Sequence, residues 1–166
     1  KSTAPGVEQL AVLDLPDDPV PSVDAIVGVG HALNYLSSAE QITEAVRSLG
    51  KSLRPGGVVA LDVCDLAWGP AHTAPDNLGR VGEDWAIISR FSTPSPDRYV
   101  REMTTFVTNS DGSWRRDDER HENVLVDVSV LAGVFDEEGV HVEVGDSFGQ
   151  ETLPIGLRTI IGSRPG

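Results

Sequence analysis

The 166-residue chain is about one domain's worth, and its 39% hydrophobic and 23% charged residues are the balance of a globular protein with one substantial core. Thirteen basic residues stand against 26 acidic ones, and the net charge of -13 argues against nucleic acid and anionic membrane as partners, since both need a basic patch. No stretch approaches the ~18 uninterrupted apolar residues of a membrane span, residues 1–6 lack a signal-peptide pattern, and the lone Cys64 suits a reducing cytoplasm, so a cytoplasmic location is expected.

Residues 7–15 (VEQLAVLDL) read as a short strand ended by the turn-rich Pro16-Asp17-Asp18-Pro19. Asp24 then opens the small or apolar run Ala25-Ile26-Val27-Gly28-Val29-Gly30, which suits a parallel strand covered on both faces. The clearest helix follows. Ser37 with Glu40 and Ser38 with Gln41 each fit a capping box, and Ile42, Ala45, Val46, Leu49 and Leu53 repeat as one apolar face. Pro55-Gly56-Gly57 reads as its stop, and residues 58–63 (VVALDV) as a second buried strand. Residues 24–62 therefore predict a βαβ unit with a parallel crossover.

After Asp65 the composition changes. Residues 67–84, rich in Gly, Pro, Asp and Asn, read as a long loop. Strand-like stretches at residues 85–92, 98–108 and 114–126 predict a three-stranded antiparallel meander, solvated on one face. Its turns are Pro94-Ser95-Pro96-Asp97 and Asn109-Ser110-Asp111-Gly112, the latter with an Asp-Gly pair that tolerates positive φ. Asp127 is placed to cap a short helix with a face of Val130, Leu131, Val134 and Phe135, stopped at Gly139. Residues 140–144 (VHVEV) alternate like a half-buried strand, and residues 157–162 (LRTIIG) form a last strand that pairs with it antiparallel.

This order of elements resembles the second half of class I S-adenosylmethionine-dependent methyltransferases, whose last strand runs antiparallel to the rest of the sheet. Val23-Asp24-Ala25-Ile26-Val27 looks like the family's fourth strand, and Ala32-Leu33-Asn34-Tyr35-Leu36 like the turn after it. Leu53-Arg54-Pro55-Gly56-Gly57 is similar to the family's lead into strand five, the most specific of the three matches. The resemblance implies an α/β, Rossmann-like sheet, mainly parallel, ending in an antiparallel hairpin. Residues 1–166 would be the C-terminal portion of one methyltransferase domain, with residues 67–126 as a loop and an antiparallel insert covering the acceptor pocket. The family's Gly-x-Gly-x-Gly turn after its first strand has no match before Asp24. The fourth strand is then expected to show an unpaired edge, open to a homo-oligomer or a strand-swapped dimer.

The implied cofactor is S-adenosylmethionine and the implied partner a small-molecule acceptor, methylated at O, N or C by in-line displacement. By the resemblance, Gly30 and His31 lie beside the methionine moiety, and Asp14 or Leu15 near the adenine. His31 follows the fourth strand, and its ordinary pKa suits a base near neutrality; the alternative is a loop histidine bonded to backbone. Asn34 and Tyr35 either face substrate or cap the coming helix. Arg90, Arg101 and His121 on the insert are expected to meet a polar or acidic substrate, whereas Arg115, Arg116, Asp117, Asp118, Glu119 and Arg120 read as a solvated, salt-bridged face. Trp68, Trp85 and Trp114 are either pocket walls or packing. The four histidines lack ligand spacing, so no metal is expected. A non-catalytic module without the cofactor half, or a nicotinamide dehydrogenase fragment, are the rival readings.

Overall fold

The computed structural model describes residues 12–15, 20–73 and 77–166. Its first part is a βαβ unit. Strand β1 (Val23–Gly28) leads through a 3-10 turn (Ala32–Tyr35) into helix α1 (Ala39–Ser52), and the chain returns as β2 (Leu53–Cys64), parallel to β1. Of the two capping boxes that fit the sequence, the second forms in half: Ser38 Oγ accepts from the Gln41 N–H at 3.2 Å, but the Gln41 side chain reaches past the N-cap to the Ser37 N–H at 3.1 Å.

The helix does not run to Pro55-Gly56-Gly57 as expected. It ends at Ser52, and those residues lie within β2, where Ala25 pairs with Val58 although Val23 already pairs with Leu53. A bulge absorbs the extra residues, and Gly56 supplies its positive φ of 78°.

The chain then builds an insert. Helix α2 (Trp68–His72) and strand β3 (Leu78–Val81) precede β4 (Trp85–Ser95), β5 (Arg98–Thr108) and β6 (Trp114–Val124). These strands form an antiparallel sheet in the order β3-β4-β5-β6, four strands rather than three. Part of the expected loop thus becomes a short helix and an exposed edge strand, whose Leu-Gly-Arg-Val is too brief for a period to show. Asn109 to Gly112 forms the expected turn, with φ at Gly112 of 83°.

Helix α3 (Val128–Glu137) follows, capped by Asp127, which accepts from the Ser129 N–H at 2.9 Å. Its buried face is Val128, Leu131, Val134 and Phe135; Val130 is exposed, because Val128 and not Val130 stands one turn before Leu131. Strand β7 (His141–Gly145), a small hairpin of β8 (Ser147–Phe148) and β9 (Glu151–Thr152), and β10 (Leu157–Ser163) complete the chain.

The main sheet has the order β1-β2-β10-β7, with β10 antiparallel to both of its neighbours. One sheet face, bearing Ile26, Val59, Leu61, Val63 and Ile160, packs on α1 and α3 and makes the main core. The opposite face is covered at Asp62, Cys64 and Thr159 but bare toward the start of β2. Val27 is 73% exposed, Val58 51% and Ile161 39%, three apolar side chains on neighbouring strands of that face. The expectation that β1 is covered on both faces therefore fails for the described residues, and its outer edge has no strand partner among them. The expected strand at 7–15 lies partly outside the described residues. Its end is a 3-10 turn (Val12–Asp14) instead, in which the Leu15 N–H bonds Val12 O at 3.2 Å and both apolar residues lean on the core.

Candidate active site

Parallel strands put their carboxyl ends on one side of the sheet, and there the loop after β1 turns sharply. Gly30 (φ 88°) and His31 (φ 47°) are both left-handed, which is unusual for a residue with a side chain. Asp62 explains how it is held. This carboxylate, almost fully buried on β2, accepts from the Gly30 N–H at 2.9 Å and from the His31 N–H at 2.5 Å. Two successive amides gripping one carboxylate tie the turn to the neighbouring strand. Sequence reasoning misses Asp62 as a site residue, although a carboxylate within an apolar run such as VVALDV is itself a signal.

A second anchor lies just beyond. Asn34 is fully buried, and its Nδ2 donates to Cys64 O at 3.0 Å and Val124 O at 2.6 Å, while its Oδ1 accepts from the Cys64 N–H at 2.8 Å. It neither faces substrate nor caps α1; it binds the β1 turn to the end of β2 and to the insert. Tyr35, next in sequence, points outward.

The turn faces the inner surface of the insert. Alternation along β4, β5 and β6 places Phe91, Arg101 and His121 opposite one another on that surface. His31 and Tyr35 stack with ring centroids 6.0 Å apart, and the tilted Trp68 ring lies at the same distance from His31. Tyr35 Oη is 3.2 Å from His121 Nδ1, and His121 Nε2 is 3.0 Å from Glu119 Oε2. Of the residues expected from sequence, the structure thus brings together Gly30, His31, Tyr35, Arg101 and His121.

Arg90 is not among them. One position from Phe91, it stands on the opposite face of the insert, opposite Glu102 and hydrogen-bonded to Asn77 Oδ1 at 3.3 Å. That outer face carries only half of the expected charge run, with Arg116 2.9 Å from Asp118 and Arg120 3.3 Å from Glu102, all solvated. Arg115, Asp117 and Glu119 alternate onto the other face, because a strand's period of two cannot keep six consecutive residues on one face. Of the tryptophans, Trp68 is at the site, whereas Trp85 and Trp114 are exposed on the insert strands. Asp14 is exposed on the 3-10 turn packed beside that of Ala32–Tyr35, and Leu15 packs on the core.

Electrostatics divides these groups. Burial pushes the Tyr99 hydroxyl up to about 12, and likewise the Cys64 thiol to about 12, the latter with help from the nearby Asp62 and Asp65 charges. Cys64 is therefore expected to resist iodoacetamide at pH 8, reacting about 1000-fold more slowly than a solvated thiol and labelling only on unfolding, as mass spectrometry would read. His31 is shifted the other way. Desolvation lowers its pKa most, the Arg101 charge adds to this, and Asp62 opposes it, so the ring is neutral near pH 7.

Arg101 itself is half-buried and has no carboxylate within salt-bridge distance among the described residues. The other arginines of β4 to β6 each have one, as Arg98 has Glu122 at 3.8 Å and Arg115 has Asp117 at 3.6 Å. Among the described residues its guanidinium therefore has no counter-charge.

Neither a family model nor a curated protein sequence matches the chain. Solved structures do. An S-adenosylmethionine-dependent methyltransferase from Clostridium acetobutylicum superposes with a TM-score of 0.76 at 13% identity, over 92% of this chain and 63% of its own. A sugar N-methyltransferase from Streptoalloteichus gives 0.67 at 20% identity, over 92% and 61%. An amino pentose methyltransferase from Micromonospora echinaspora gives 0.69 at 17%, over 91% and 62%. The chain has the class I methyltransferase fold. It spans less than two thirds of the length of each of these methyltransferases. Within that fold, β1 and β2 take the places of the fourth and fifth strands, and β10 is the last strand, inserted antiparallel beside the fifth. No helix among the described residues is long and apolar enough to cross a membrane.

Proposed function

We propose that the protein of which these residues form a part transfers a methyl group from S-adenosylmethionine to a small polar acceptor. The observation that carries this reading is the Gly30–His31 turn at the carboxyl end of β1, locked by Asp62 and set against Tyr35 and Trp68 at the inner surface of the insert. The turn fits the amino-acid end of that cofactor. A Cβ built at Gly30 meets no atom within 4 Å, so the space before the turn is open, and its amides are already satisfied by Asp62. Bound there, the cofactor supplies an electrophilic methyl on a sulfonium. Gly30 and His31 would border it, with Asp14 near its adenine; Tyr35, Arg101 and His121 would meet the acceptor.

The bare face around Val27 and Val58 and the open edge of β1 support a further part of this reading. Apolar patches of this kind are usually covered. A strand with a glycine-rich turn, from outside these 166 residues, would pair the open edge and complete the cofactor site, and the chain joined to it would lie over the bare face; a second copy exchanging strands is the competing occupant.

Calorimetry tests the proposal. The full-length gene product is expected to release heat with S-adenosylhomocysteine and none with NAD, and the isolated 166-residue chain to bind neither. Heat with NAD alone would transfer the fold to a dehydrogenase role, and no heat with either would leave a non-catalytic module.

A further inference from the structure

The contacts at Tyr35 have a polarity that the chemistry of the side chains dictates. Glu119 is a carboxylate and accepts, so His121 Nε2, 3.0 Å away, carries a hydrogen. In a neutral ring the other nitrogen is then bare, and His121 Nδ1 accepts from the Tyr35 hydroxyl 3.2 Å away. The three side chains come from three places, the turn after β1 and two positions on β6 that share its inner face. Tyr35 is 39% exposed and its ring lies against His31, so its oxygen keeps a lone pair for a further partner.

We infer that Tyr35, His121 and Glu119 form a proton relay that draws the proton from an acidic hydroxyl, of phenol or enol type, as that oxygen is methylated. The inference rests on the methyltransferase reading and narrows its acceptor. In the step, the acceptor O–H bond breaks and its proton goes to Tyr35 Oη. The Tyr35 O–H bond breaks in turn, and that proton goes to His121 Nδ1. The acceptor oxygen keeps its electron pair and uses it to bond the methyl carbon, whose bonding pair to sulfur stays on sulfur. The imidazolium so formed is paired with Glu119 and later gives its extra proton to water. Tyr35 and His121, which take up the proton in turn, are the catalytic residues here; Glu119 is a positioning residue.

One observation selects an acidic hydroxyl over an amine. A tyrosine hydroxyl exchanges protons best with groups near its own ordinary pKa of about 10, where phenols and alkylammonium ions both lie. Arg101 then discriminates between them. It stands opposite His121 across β5 and β6, lacks a carboxylate partner among the described residues, and its charge acts on His31 beside Tyr35. An unpaired cation stabilises a developing oxyanion and repels an ammonium. The buried hydroxyl and thiol nearby, Tyr99 and Cys64, are held protonated and cannot serve.

The test has two arms. Nitrogen-15 NMR of the full-length protein at about pH 7.5 is expected to show His121 neutral with hydrogen on Nε2, and Glu119→Gln to shift part of the population to the other tautomer. The groups facing His121 in that titration are Glu119, Tyr35 and Arg101, with His31 behind Tyr35. Hydrogen on Nδ1 in the wild type overturns the relay, whatever the activity. In the second arm, a panel of simple phenols and size-matched alkylamines is offered with S-adenosylmethionine. Phenols are expected to be methylated, and Tyr35→Phe to lower kcat by about 100-fold or more with KM for the cofactor nearly unchanged. Methylation of the amines alone, full turnover by Tyr35→Phe, or no phenol turnover by protein that binds S-adenosylhomocysteine each overturns the inference. Protein that fails to bind S-adenosylhomocysteine overturns the methyltransferase reading instead.

Discussion

Asn34→Ala is expected to destabilise the fold by about 2–4 kcal/mol, more than any other single polar substitution away from the pocket. The side chain is fully buried and makes bonds to Cys64 O, Val124 O and the Cys64 N–H. Cys64 O has a second donor in the Val126 N–H at 3.4 Å, so the loss falls mainly on the Cys64 N–H and Val124 O. A buried amide without an acceptor costs its full desolvation penalty, because no water reaches a site lined by Cys64 and Leu125. Asn34→Asp sharpens the test. Its carboxylate can still accept from Cys64 but sets negative charge against two carbonyls, so at pH 7 it should be worse than alanine. Burial and repulsion raise the folded-state pKa of the new acid above its unfolded value, and the folded state then binds more protons. Stability of this variant must therefore rise as pH falls from about 7 to about 5. Urea unfolding at the two pH values measures both effects; an aspartate variant equal to wild type at pH 7 would show that Asn34 does not join the strands in this way.

How far the sequence discloses the fold depends on whether a residue acts locally. Ile42, Ala45, Val46 and Leu49 repeat with the helical period, and the helix lies where they place it. The run from Ala25 to Gly28 pairs in parallel with the run from Val58 to Leu61, as a βαβ reading requires. Features that depend on distant partners do not show. Nothing local in Asn34 says that its amide spans to residues 30 and 90 positions away. The placement of Arg90 fails for a related reason. A strand's period of two assigns its residues to alternate faces without saying which face looks inward, and that is set by Tyr99 and Phe91 packing toward Trp68. His121 is legible as a site residue, yet its partner Glu119 reads as part of a solvated charge run, which it also borders.

The turn that carries the proposed site stands or falls with Asp62. Asp62→Ala removes the only side-chain acceptor that the Gly30 and His31 amides have among the described residues, and about 2–3 kcal/mol of stability should go with it, some water replacing the lost oxygens. The larger effect is on order. A histidine at φ 47° persists only while its surroundings hold it, and Asp62 is what holds it. Released, His31 should leave the left-handed region and lose its stacking with Tyr35, and binding of S-adenosylhomocysteine by the full-length protein should weaken by about tenfold or more. Asp62→Asn separates charge from geometry. It keeps an acceptor for one amide but deletes the charge that opposes the desolvation of His31, so the His31 pKa must fall further below its ordinary value. A histidine whose folded pKa is depressed makes the unfolded state the better proton binder, so its burial costs stability as pH drops below about 6.5, down to the folded pKa. That acid-side window should widen in Asp62→Asn and vanish when His31→Gln is added. A histidine titration by NMR in which the His31 pKa rises in Asp62→Asn would mean that the carboxylate reaches the ring through the backbone alone.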